Sequence, residues 1–188
     1  RIVEAHPELD VQIVALPRVV NLSKREADMA ITVSAPTAGR LTVQKLSDYK
    51  LHLVGAPRYL GKAPALDRKE DLHAHRMIGY IPDMIFDKEL DYLAALGVER
   101  VPLASNSVAV QFHAIRQGAG LGVVHDFALP SAPELRRVLV QEVSLTRSFY
   151  LVRHSSDRKL QRLNRFAETL AAGLRAEILA LERLCLDL

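Results

Sequence analysis

The sequence predicts an α/β fold built on a largely parallel, doubly wound sheet. Three observations carry that expectation. Short β-branched and apolar runs recur at residues 11–16, 28–33, 50–55, 76–81 and 120–124. Helical patterns stand between several of them, and strands alternating with helices fold as layered sheets. Helix punctuation falls at the joints: Ser105, Asn106 and Ser107 form an N-cap cluster, and Gly97 and Gly118 follow helical stretches.

In order, residues 2–5 read as the tail of a helix ended near Pro7. The chain opens on Arg1, not Met, so it is expected to begin inside an element with more protein upstream. Residues 11–16 alternate and predict a strand that Pro17 ends, followed by a short helix through Leu22 and Arg25. Residues 28–33 predict a strand buried on both faces. Residues 34–39 form a loop. Residues 41–46 and 50–55 predict two extended segments with a turn at Ser47 and Asp48. A helical turn is expected at 56–60 and a Pro/Gly/charged connector at 61–68. Residues 76–81 predict a strand stopped by Pro82, and 88–96 a helix capped by Gly97. Residues 101–104 predict a short strand that Pro102 confines to an edge or a strand start. A helix is expected over 108–117 and a strand over 120–124. Residues 127–130 give a brief turn, and 137–140 and 149–152 the last strands. Ser155, Ser156 and Asp157 are expected to cap a long final helix. Its apolar residues Leu160, Leu163, Ala167, Leu170, Leu174, Ile178 and Leu181 fall at alternating threes and fours.

Composition narrows the classes. With 188 residues and 49% hydrophobic content, the chain has enough apolar mass for one large domain or two lobes. A net charge of +3 is too weak and dispersed for a DNA-binding stripe. The single cysteine, Cys185, excludes an intrachain disulfide framework and a multi-Cys zinc site. No apolar run approaches the length of a membrane span.

The ordered set of pieces resembles the effector-binding domain of bacterial LysR-type transcription regulators. Four stretches carry the likeness: Glu26-Ala27-Asp28-Met29-Ala30-Ile31; Leu53-Val54-Gly55-Ala56-Pro57-Arg58-Tyr59-Leu60; Asn106-Ser107, a helix, then Gln117-Gly118-Ala119-Gly120-Leu121-Gly122-Val123-Val124; and Phe149-Tyr150-Leu151-Val152-Arg153 before the closing helix. The resemblance implies two Rossmann-like lobes joined by two crossing segments, as in type 2 periplasmic binding proteins. Lobe I would hold residues 1–73 and 147–188, lobe II residues 74–146. It implies a small-molecule effector in the cleft between lobes, a homodimer or homotetramer, and a cytoplasmic setting. DNA would be contacted only through a winged helix-turn-helix upstream of Arg1. The family's first strand and part of its pocket would also lie upstream. No cofactor and no membrane contact are expected.

Four chain reversals supply the candidate ligand contacts. Thr32, Val33 and Ser34 end a strand, as do Tyr80, Ile81 and Pro82, and ligands in open α/β sheets bind beyond the carboxyl ends of strands. Ordinary turn chemistry at Ser34 and an interior tyrosine at Tyr80 are the competing explanations. Ser105, Asn106 and Ser107 cap a helix start, where free N–H groups favour an anion; the resemblance adds ligand contact to capping. His125 and Phe127 follow another strand and are expected to wall the cleft.

Other patterns carry less. His125 and Asp126 with Ser107 do not make a nucleophilic triad: neighbours on a strand face opposite ways, and no Gly-x-Ser-x-Gly elbow is present. His73 and His75 lack ligand spacing and read as a solvated connector. Residues 118–122 follow a helix and precede a strand, the reverse of a phosphate-binding glycine loop. A transport-type solute-binding protein and an enzyme on the same scaffold are the competing functions. An upstream secretory signal would mark the first, and activated groups across the cleft the second.

Overall fold

The structure, a computed structural model, describes residues 2–5, 7–15, 21–24 and 26–186. They fall into two packing units. One comprises residues 1–47 with 148–178, the other 48–147 with 179–188.

In the first unit, helix α1 (Ile2–Ala5) and strand β1 (Met29–Thr32) precede the opening half of β2 (Leu41–Gly55). Strand β1 pairs antiparallel with β7 (Ser144–His154), Met29 opposite Arg153 and Thr32 opposite Tyr150. The expected helical stripe forms the core here. Ala167 and Ala171 of α4 (Gln161–Leu186) bury against Leu46 and Leu151, with Leu170 and Leu174 beside them. Spacings of three and four place these residues on one helix face.

Several expectations change in this unit. Residues 11–15 form no strand and are exposed, Ile13 at 91%; alternation becomes a strand only beside a pairing partner. Leu16, Pro17 and Arg25 lie outside the described residues, and Leu22–Lys24 is one 3-10 turn. Strand β1 is half-buried rather than covered on both faces, with Ile31 47% exposed. Ser155–Lys159 is a separate 3-10 turn before α4, so Ser155 does not cap the long helix.

The second unit has strand order β2-β5-β3-β4, with β6 also on β2. Here β3 is Met77–Gly79, β4 Leu103–Ala104, β5 Leu121–His125 and β6 Arg136–Arg137. Strand β3 runs parallel to β4 and β5, whereas β2 is antiparallel to β5 and β6. The sheet is therefore mixed, not largely parallel. Helix α3 (Val108–Arg116) is the crossover that makes the parallel part possible: it returns the chain from β4 to β5. Two apolar clusters hold the unit. Val54, Ile78, Ile115, Val124 and Leu129 form one; Leu53, Tyr59, Met77, Leu93 and Leu121 form the other. Helix α2 (Pro57–Leu60) is the expected turn, with Pro57 at its start.

The turn expected at Ser47 and Asp48 does not exist. Strand β2 runs unbroken through it for 15 residues. The packing division falls at 47/48, inside that strand. The helix expected over 88–96 is two 3-10 turns, Lys88–Leu90 and Ala94–Leu96: Asp87 opens the first by accepting from Glu89 N, and Gly97 closes the second with a positive φ of 72°. Asp91 breaks the helix between them by accepting from Ala94 N at 3.2 Å.

Candidate functional site

Within the second unit, three of the four predicted reversals come together at the carboxyl ends of β3 and β5. Tyr80 follows β3, and its ring lies 6.1 Å from that of Tyr92. Tyr92 in turn meets His125, at the end of β5, edge-on at 6.5 Å. His125 packs on Phe127 at 4.9 Å and on Tyr49 at 5.2 Å. Such offset and edge-on pairs add to the burial of their rings. The Ser105 amide donates to the Gly79 carbonyl at 3.0 Å, which pins the third reversal beside the end of β3.

Ser107 performs the predicted capping: its Oγ accepts from Val110 N at 3.5 Å, and the Ser107 amide donates to Ser105 Oγ at 3.1 Å. Gln111, buried on α3, donates from Nε2 to the Ser105 carbonyl at 2.7 Å and ties the loop down. Asn106 is exposed, while Ser105 and Ser107 are half-buried. Ile81 is half-buried and Pro82 exposed at the start of a 3-10 turn.

Thr32, Val33 and Ser34 belong to the first unit. Thr32 Oγ1 donates to the Ser34 carbonyl at 2.7 Å, which is the turn chemistry weighed above. All three are half-buried.

The electrostatics of the aromatic group are those of neutral side chains. Burial pushes the Tyr49 and Tyr80 hydroxyls up to about 12, the Tyr92 contact lowering Tyr49 somewhat. Burial raises Tyr92 further still. All three are hydrogen-bonding alcohols at neutral pH. Loss of water lowers His125 to about 4 against the opposing pull of Asp126. Asp126 is itself engaged: His52 Nδ1 lies 2.8 Å and 3.0 Å from its two carboxylate oxygens, with both residues buried. His73 is exposed, but His75 is buried against Tyr59, its Nδ1 3.3 Å from the hydroxyl, so the solvated connector holds only for the first. Among the described residues no group of three or more His, Cys, Asp or Glu is placed to hold a metal ion.

Sequence reasoning missed Tyr49, Tyr92 and Gln111. Tyr49 was hidden by the supposed turn. On a continuous β2 the register Leu51 opposite His125 puts Tyr49 diagonal to His125 and level with Phe127. Tyr92 was hidden inside the supposed helix. For Gln111 the available signal was its spacing, four residues after the cap residue Ser107 on α3.

A family model for the LysR substrate binding domain matches residues 1–175. The chain belongs to that family. This LysR substrate-binding domain is the effector-sensing part of a LysR-type regulator, and a transport role is not favoured. The regulatory domain of CrgA from Neisseria meningitidis superposes with a TM-score of 0.80 at 22% identity, over 92% of this chain and 87% of that one. Full-length CrgA matches with a TM-score of 0.76 at 20% identity, over 92% of this chain but 60% of the longer protein. The regulatory domain of the C227S variant of AphB from Vibrio vulnificus gives 0.67 at 21% identity, over 90% and 88%. At these identities the structures establish a shared fold, the type 2 periplasmic-binding-like α/β architecture. A comparison with curated protein sequences found no match. The family and these neighbours are transcription regulators rather than enzymes. No helix among the described residues is long and apolar enough to cross a membrane.

Proposed function

We infer that this LysR-family domain senses its effector through Tyr80, Ile81, Pro82, Ser105, Asn106, Ser107, His125 and Phe127 on the second unit, and through Thr32, Val33 and Ser34 on the first. One observation carries the second-unit assignment. The ends of β3 and β5 and the start of α3 converge, through the Tyr80–Tyr92–His125 ring contacts and the Ser105 to Gly79 hydrogen bond. That is where open α/β sheets bind ligands. The N-terminus of α3 favours a small organic anion.

The chemistry is recognition without turnover. The tyrosines are neutral, His125 is held neutral, and Asp126 is occupied by His52. The effector acts by binding one conformational state better than another, and that difference moves an attached DNA-binding domain. The functional lobes are residues 1–73 with 147–188, and 74–146. The regulator works in the cytoplasm as a homodimer or homotetramer, and DNA is touched only by its winged helix-turn-helix.

A thermal-shift screen of small organic acids against the chain tests the contacts. Ser107→Ala costs about 1 kcal/mol of stability through the lost cap. Both Ser107→Ala and Thr32→Ala are expected to lose the ligand-induced rise in Tm that the parent shows. If the two variants rise as far as the parent, the contact assignment is wrong.

A further inference from the structure

We propose that the second unit carries a further small-molecule site, an aromatic-walled pocket that accepts an uncharged phenol-like compound. The pocket has a volume of about 570 Å³, within the roughly 300–1,000 Å³ of ordinary ligand sites. Its walls include Tyr80, Phe86, Leu90, Tyr92, Leu93 and Gln111. Leu90, Tyr92 and Leu93 are buried, whereas Phe86 stands 43% exposed. An aromatic ring left in water beside an apolar hollow is an unsatisfied packing surface.

Two features select the ligand's chemistry. The first is Gln111, only 6% exposed. Its amide nitrogen is committed to the Ser105 carbonyl, while its Oε1 has no donor among the described residues and is not sealed from solvent. A ligand hydroxyl can donate to that oxygen in place of water. The second is the charge around the pocket. Asp87, Asp91 and Glu99 line it against one cation, Lys88. Asp87 and Asp91 are fixed there by capping Glu89 N and Ala94 N. Three carboxylates against one ammonium oppose a carboxylate ligand. The pocket therefore differs in preference from the anion-favouring start of α3. Tyr80 and Pro82 are the only proposed effector contacts that also line it.

The test compares 4-ethylphenol with 4-ethylbenzoate, matched in shape and differing in charge at neutral pH, by ligand-observed NMR titration of the chain. The phenol is expected to bind about tenfold more tightly than the benzoate. Gln111→Leu is expected to weaken the phenol by about tenfold, through loss of that acceptor. Phe86→Ala, at an exposed position that leaves the core intact, is expected to weaken it about threefold through lost ring contact. Equal binding of the two compounds, tighter binding of the benzoate, or phenol binding indifferent to Phe86→Ala would each overturn the proposal.

Discussion

Gly120→Ala is expected to lower the stability of the domain by at least about 3 kcal/mol, read as a fall in the urea unfolding midpoint. A Cβ at this position would stand 2.2 Å from the Arg76 carbonyl oxygen and 3.0 Å from its carbon. Both obstacles are backbone, so no side-chain rotation relieves the overlap. Nor can the two segments part freely. The next amide, Leu121 N, donates to that same Arg76 oxygen at 2.8 Å and opens the parallel ladder in which Met77 lies opposite Leu121. Relief of the clash breaks the joint on which the carboxyl ends of β3 and β5 depend. Gly173→Ala is the matched control. Nothing lies within 4 Å of a Cβ there, and the residue is inside α4. Removal of a helical glycine is expected to add up to about 1 kcal/mol. Equal effects from the two substitutions would show that the approach at Gly120 carries no special strain.

The contrast between those glycines also shows what could be read before the fold was known. Residues 117–124 were legible because local chemistry decides them. A helix must end where Gly118 takes a φ of 69°, and a compact apolar run must then enter the sheet. The Ser107 cap was legible for the same reason. The 15-residue span of β2 was not. Ser47 and Asp48 have turn chemistry, and only pairing with neighbouring strands holds them extended. The strand expected at 11–16 failed in the opposite sense, having the alternation without a partner. The candidate site was half visible. Strand ends and a cap announced Tyr80, Ser107 and His125. Tyr49 and Tyr92, which join them, sit in segments whose conformation is set by tertiary contacts, and local pattern gave no warning of either.

Acidification is expected to cost the folded chain up to about 3 kcal/mol through His125 alone. The unfolded imidazole takes up a proton near 6.5, the folded one only near 4. Between those values the unfolded chain holds more protons, so stability is complete above about pH 6.5 and drains away as the pH falls toward 4. The carboxylates of Asp71 and Glu134 are shifted below their ordinary range, so their contributions are lost at lower pH and do not fill this window. Urea unfolding at a series of pH values should show the loss in the parent and a flatter profile in His125→Leu. A parent profile no steeper than that of the variant would mean that His125 accepts its proton in the folded state. The consequence reaches the proposed effector contacts. The ring cannot serve as a cationic anchor for an anion in the range where it is neutral; it contributes one donor and one acceptor, fixed by Tyr49, Tyr92 and Phe127. Attraction for a negative group then falls to the amide dipoles at the start of α3. With the effector contacts as proposed, Ser107→Ala, not His125→Leu, is expected to cost more affinity for an anion.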